Sequence, residues 1–300
     1  MLLSQFQRKM KRMDQLPTFE DRQDKLVDGA YAPTRSPFRY PGGKTWLIPQ
    51  VRQWLSNQTD DVVELIEPFA GGGIVSLTSA FEGLAKHVTM VELDEQVAAV
   101  WQTILGEQGE DLANAIVTFD FSASSVEEVL GSPSDTLLEQ AFATILKNRV
   151  NRGGILASGA GLLKNGENGK GLASRWYPET LRRRILDIIR FKDRISFIKG
   201  DGIGIMESNS HRIDTSYFID PPYTVAAKRL YDKWEMDHDR LFEVASTLTG
   251  DFLMTYDNDH RAHSLVEKHG FEAREVSMKN THHTQMTELL IGRDLSWLTR

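Results

Sequence analysis

"VVELIEPFAGGGIVSLTSAFEG", Val62 to Gly83, decides the fold. "VVELIEPF" reads as a buried strand that runs into a glycine turn, and "IVSLTSAFEG" reads as the helix that leaves it. "HVTMVEL", His87 to Leu93, is a second strand, followed by a helix from about Glu95 to Leu105. Two strand–helix units in succession imply parallel strands joined by a right-handed crossover.

Between about Gly106 and Pro178 this rhythm stops. The stretch carries the helical patterns "SSVEEVLG" and "DTLLEQAFATILKNRV", then the glycine-rich, basic "NRGGILASGAGLLKNGENGKGLASRW", which reads as a mobile loop. The rhythm resumes with helix "PETLRRRILDIIRFKDR", strands "ISFIKG" and "SYFID", helix "DHDRLFEVASTLT", strand "DFLMTY" and helix "HRAHSLVEKHG". Strands "FEAREVSM" and "TELLIGR" close the chain. The expected fold is α/β: an open, mostly parallel sheet of Rossmann-like type, with an inserted segment and an antiparallel finish. The expected organisation is a tail over 1–35, a catalytic domain built from 36–105 and 179–300, and a mainly helical insert over 106–178.

Composition narrows the function. The chain of 300 residues has 40% apolar and 26% charged residues, ordinary for a globular protein, and contains no cysteine. That excludes disulfides, thiolate metal sites and any cysteine nucleophile. No apolar run approaches the roughly 20 residues of a membrane span. "MLLSQFQRKMKRMDQ" places its basic residues after a short apolar start, the reverse of a secretory signal, so a cytoplasmic protein is expected. Net charge is −7, yet Lys147 to Lys199 holds 13 basic against four acidic residues. That segment is +9 and the remainder −16, a local field able to attract phosphate.

"SPFRYPGGKTWL", Ser36 to Leu47, contains the Gly-Lys-Thr of many triphosphate loops. A phosphate loop needs a glycine where Phe38 stands, and it follows a strand instead of preceding the first one. The nucleotide-triphosphatase reading therefore fails. His260 and His263 share a predicted helix but have no third ligand nearby, so no metal site is expected. Asp237 is expected to cap its helix, Trp54 and Trp101 to pack in the core, and Tyr256 and Asn258 to lie near the cleft.

Ligands of open α/β sheets sit beyond the carboxyl ends of the strands. "EPFAGGG", Glu67 to Gly73, ends the first strand, and its glycines let a ligand press against backbone and helix N-terminus. Glu92 ends the second strand, where a carboxylate can accept both hydroxyls of a ribose. "IDPPY", Ile219 to Tyr223, is the most specific signal. Pro221 and Pro222 remove two N–H donors, Asp220 adds a carboxylate, and Tyr223 adds an aromatic face. An acceptor-only edge beside a stacking surface suits a planar ring that bears an amino group.

"FRYPGGKTWL", "EPFAGGG", "VELDE", "FIKGD" and "DPPY", in that order, resemble the Dam-like DNA adenine N6-methyltransferases, amino-methyltransferases of alpha motif order. The resemblance spans roughly Pro37 to Gly292. It implies that S-adenosyl-L-methionine is the cofactor, with Tyr40 and Lys44 against it and Phe69, Ala70, Gly71 and Gly73 along its methionine and ribose portion. Glu92 would hold the ribose hydroxyls, and Asp201 would accept from the cofactor's adenine amine. Asp220 and the Pro221 carbonyl would accept from the N6 amine of the target adenine, with Pro222 fixing the turn and Tyr223 stacking on the base. Asp220 also borders the cofactor. The 106–178 insert occupies the place of the family's target-recognition region, and Arg149, Arg152, Lys164, Lys170 and Arg175 are expected to contact phosphates of double-stranded DNA.

The expected activity is methyl transfer to adenine N6 in DNA after base flipping, the fold being that of a SAM-dependent methyltransferase. N4-cytosine methylation and a catalytically silent DNA-binding homologue are the alternatives. A cognate restriction endonuclease is an admissible partner. RNA methylation is disfavoured because related RNA enzymes usually carry Asn in place of Asp220. Methylation at carbon-5 of cytosine needs a thiolate and is excluded.

Overall fold

In the computed structural model the described residues are 33–39, 43–58, 62–157, 159–166, 169–222, 236–279 and 285–298. Strands β1 (Glu64–Glu67), β2 (His87–Glu92), β3 (Ile195–Lys199), β4 (Thr215–Ile219), β5 (Phe252–Asp257), β6 (Glu272–Lys279) and β7 (Gln285–Gly292) form one sheet in the order β3-β2-β1-β4-β5-β7-β6. The first five are parallel, and β7 is antiparallel to both β5 and β6. This is the expected doubly wound sheet with an antiparallel finish. Its centre is apolar: Leu65, Met90, Tyr217, Phe218, Leu253 and Leu290 are fully buried. A parallel sheet covered on both faces demands such continuous apolar strands.

Helices α1 (Ile48–Ser56), α2 (Ile74–Glu82) and α3 (Glu95–Leu105) precede the insert. Asp94 caps α3 by accepting from Gln96 N–H at 2.9 Å and Val97 N–H at 3.0 Å. The expected strand and helix positions after β1 hold to within a few residues. Three helices were not read from the sequence: α1, the insert's helix at Gly109–Thr118, and α8 (Gly202–Asn209), whose "GIGIMESN" has too little apolar periodicity to announce itself.

The insert contributes α4 (Gly109–Thr118), α5 (Ala123–Gly131) and α6 (Leu137–Val150), and α7 (Pro178–Ile189) follows it. Thr136 and Glu139 close α6 with a reciprocal capping box. α6 packs against α3, and α4 packs against α7. Phe119, Phe142, Phe121 and Trp176 stack or meet edge-on at 5.2–5.9 Å, joining α4, α6 and the end of the glycine-rich stretch. That stretch, expected as a mobile loop, is pinned by its own backbone: Leu163 N–H donates to Val150 O at 2.8 Å, Arg152 N–H to Gly161 O at 3.0 Å and Gly171 N–H to Asn165 O at 3.0 Å.

Two glycines place the site. Gly73 holds φ 62° at the N-cap of α2, a left-handed conformation, and a Cβ there would lie 2.4 Å from Met90 Cε. Gly202, the first residue of α8, lies so close to the turn after β1 that a Cβ would meet Pro68 O at 2.1 Å. Gly202→Ala should therefore force backbone apart and cost about 1–3 kcal/mol. A thermal melt should show Tm lowered by about 2–10 °C; an unchanged melt would refute the close approach.

Candidate active site

Because β2, β1 and β4 are parallel neighbours, their carboxyl ends lie side by side, and the crevice falls where the strand order reverses. Glu67 ends β1, Glu92 ends β2 and Asp220 follows β4 directly. Glu67 is buried, and its Oε2 accepts from Ser76 N–H at 3.0 Å in the first turn of α2. Burial, opposed by Ser76 and reinforced by the charges of Asp220 and Glu92, pushes its carboxyl up to about 8. Glu67 thus lies within electrostatic reach of both Glu92 and Asp220.

The glycine turn is held as a unit. Gly71 N–H donates to Glu92 Oε2 at 2.9 Å, while Leu93 and Asp94 N–H donate to Glu92 Oε1 at 2.7 and 2.8 Å. The indole N–H of the fully buried Trp101, on α3, donates to Gly71 O at 2.9 Å, so this tryptophan is both core and turn anchor. Phe69 is half-buried, whereas Ala70, Gly71 and Gly73 are buried. Burial raises the Glu92 carboxyl above its usual range against the pull of its backbone donors.

On the other side of the crevice Lys44 is 2% exposed, yet its ammonium has two carboxylate partners, Asp220 Oδ1 at 3.0 Å and Glu288 Oε2 at 3.4 Å. Thr255 on β5 donates to the same Asp220 Oδ1 at 2.7 Å. Burial pushes the Lys44 ammonium down, but Asp220 and Glu288 outweigh it and the net shift is upward, so it stays a cation. Burial pushes Glu288 up to about 7 despite Lys44, and raises Asp257 at the end of β5 as well. Lys44, expected on the cofactor, is therefore engaged by the carboxylate of the "DPPY" stretch. Glu288 and Thr255 were missed by sequence reasoning. Both lie on strands far along the chain, and the only trace of Glu288 is an acid inside an apolar strand, "TELLIGR".

Asp201 caps α8: its carboxylate accepts from Ile203 N–H at 3.1 Å and Gly204 N–H at 3.2 Å, with Arg240 Nη1 3.7 Å away. It sits at the carboxyl end of β3, in line with Glu92 at the end of β2. Pro221 is buried and Pro222 half-buried. Tyr40 and Tyr223 lie outside the described residues. Asp237 caps α9 (His238–Thr247) by accepting from Arg240 N–H at 3.0 Å. Tyr256 is buried with its hydroxyl on His238 Nδ1, a partner not anticipated.

The basic residues divide. Arg152, Lys164 and Lys170 are exposed and Arg175 is half-buried. Arg149, expected on the phosphate-contacting surface, is only 4% exposed and donates to Pro37 O. The reason is helical phase: Ala141, Thr144, Ile145, Asn148 and Arg149 follow the spacing of the inward stripe of α6, and all are buried.

Among the described residues no helix is long and apolar enough to cross a membrane. No curated protein matches the chain in sequence. Solved structures that resemble it include an rRNA methyltransferase, aviRa, from Streptomyces viridochromogenes, with 14% identity, TM-score 0.40 and coverage of 91% of this chain and 92% of that one. A SAM-dependent methyltransferase from Agrobacterium tumefaciens has 10% identity and TM-score 0.39 over 81% of this chain, which spans 58% of that protein. A precorrin-6y C5,15-methyltransferase from Geobacter metallireducens has 9% identity and TM-score 0.37, covering 83% and 89% of the two chains. These distant likenesses carry no weight beside the family match. Residues 40–129, which include the glycine turn and Glu92, match the D12 class N6 adenine-specific DNA methyltransferase family. That match covers 90 of the 300 residues and agrees with the resemblance read from the motifs to Dam-like adenine-specific DNA methyltransferases.

Proposed function

We propose that this protein methylates the N6 amine of adenine in double-stranded DNA, acting on a base flipped out of the helix. The observation that carries the reading is the position of Asp220 and Pro221 at the carboxyl end of β4, beside the Glu67–Gly73 turn, with Lys44 and Thr255 fixing the carboxylate. The site fits the cofactor by charge. Glu67, Glu92, Asp220 and Glu288 crowd a crevice in which burial already raises Glu67, Glu92 and Glu288. A cationic ligand relieves that crowding.

Glu92 and the Phe69–Gly73 turn would hold the cofactor, with Asp201 at the adenine end. S-adenosylmethionine, when bound, supplies an electrophilic methyl group on a positively charged sulfur. The protein's task is then to make a poor nucleophile attack. The lone pair of an exocyclic amine is delocalised into its ring. Asp220 and the Pro221 carbonyl accept the two amine hydrogens, which favours a pyramidal nitrogen with its lone pair directed at the donor. Thr255 and Lys44 fix the Asp220 carboxylate before substrate arrives, so little reorganisation is left for the transition state. Tyr223 stacks on the extruded base, offsetting part of the few kcal/mol lost by unstacking. Arg152, Lys164, Lys170 and Arg175 hold the phosphates, and the 106–178 insert reads the target.

Asp220→Ala should abolish methyl transfer while duplex affinity is retained, in single-turnover assays with labelled donor and identification of the methylated base. A rate within about tenfold of wild type, equivalent to about 1.4 kcal/mol of barrier, would rule out the assigned role. Replacing Lys164 and Lys170 by Gln should weaken duplex binding and flatten the slope of log affinity against log salt by about one to two. An unaltered slope would remove both lysines from the DNA interface.

A further inference from the structure

Methyl transfer to an exocyclic amine leaves one proton to be removed. The nitrogen bonds to the methyl carbon, the carbon–sulfur bond breaks with its electron pair going to sulfur, and the nitrogen then carries the positive charge with both hydrogens still attached. In the proposed function Asp220 holds one of those hydrogens, so it is the first base in reach. A neutral acid left at Asp220 would be a weaker acceptor for the next amine, and its proton has to be passed on.

Behind Asp220 three groups stand in line. Lys44 Nζ lies 3.0 Å from Asp220 Oδ1 and 3.4 Å from Glu288 Oε2, so one ammonium touches both carboxylates. Lys44 is 2% and Glu288 4% exposed, which shields the far end of the line from water. Glu288 stands on β7 just ahead of Leu289, Leu290 and Ile291, all buried, where an acid adds nothing apolar to the core. What it adds is an acceptor. Lys44 leans on Asp220: Glu288 Oε2 is the longer contact and accepts no hydrogen bond of good geometry. The far oxygen can therefore take a proton when the near carboxylate gains one.

We propose that Glu288 is the terminal proton acceptor of methyl transfer, reached from Asp220 through Lys44. The Lys44 ammonium gives a proton to Glu288, and the amine so formed takes the proton that Asp220 received from the methylated nitrogen. Lys44 ends as an ammonium, Asp220 as a carboxylate and Glu288 as a neutral acid. The positive charge lost by the sulfonium is matched by the negative charge lost at Glu288. The inference rests on the proposed function, because it needs an amine that sheds a proton.

The surroundings of Glu288 suit it to that task. Burial pushes its carboxyl up to about 7, with Lys44 opposing and Asp220 and Asp257 reinforcing. Those charges face it from the turn before α1, from the end of β4 and from β5, where Asp257 is its register partner; β6 places Val276 opposite. A proton acceptor is most effective when it titrates near the working pH, since it can then both take the proton and release it between turnovers.

The test is the pH profile of the single-turnover rate at saturating donor and duplex, for the full chain and for Glu288→Gln and Glu288→Asp, with the methylated base identified. The acceptor is the carboxylate and its titration is shifted upward, so the wild-type rate should rise with pH through about 7 and level off above it. Glu67, pushed up to about 8, titrates above that step. Glu288→Gln should lose the step near 7 and run about tenfold or more slower at about pH 8. Glu288→Asp should restore the step and part of the rate. No step near 7 in wild type, or a step retained in Glu288→Gln, overturns the proposal. If the Gln variant is too slow to profile, failure of Glu288→Asp to restore both rate and step overturns it as well. Wild type that forms no N6-methyladenine at any pH fails the proposed function itself, whereas N6-methyladenine formed with a flat profile fails the relay alone.

Discussion

The ion cluster of Lys44 with Asp220 and Glu288 is the constraint on which the site depends. It ties the segment before α1 to the end of β4 and to β7, and Thr255 adds β5. Taking an ammonium and two carboxylates out of water costs several kcal/mol per ion, so such a cluster is weak support for stability. Its yield is geometric. Asp220 is held in one place by two donors on a single oxygen, one from the segment before α1 and one from β5.

That geometry gives the two sides of the crevice different chemistry. On the β1–β2 side, backbone N–H groups converge on Glu92 and shape the glycine turn. On the β4–β5–β7 side, carboxylates surround one buried lysine. The first side is built to cradle a ligand against backbone, and the second is built to accept hydrogen bonds. Under the proposed function, the first side would take the cofactor and the second would grip the substrate's amine.

The sheet was legible because parallel strands in a covered sheet are apolar runs and the helices between them are amphipathic. "EPFAGGG" and "DPPY" were legible because glycine and proline restrict the backbone locally and need no long-range knowledge. What stayed hidden was long-range or phase-dependent. The pairing of Lys44 with Asp220 and Glu288 was not legible because "PGGK" says nothing of β7, where Glu288 stands. Arg149 read as a surface charge because a count of basic residues ignores which helix face they occupy, although the spacing from Ala141 carried that information. Helix α8 hid because two glycines in eight residues erase periodicity, and one of them, Gly202, is glycine to let Pro68 approach.

The account turns on whether Lys44 serves Asp220 or the cofactor. The direct measurement is calorimetric titration of S-adenosylmethionine into the Lys44→Met, Glu288→Gln double variant, beside its methyl-transfer rate at saturating donor. The account predicts donor affinity within about threefold of wild type and a rate lowered by about a hundredfold or more, since a preorganised electrostatic partner is removed. Donor binding lost, with the rate at saturating donor retained, would contradict it.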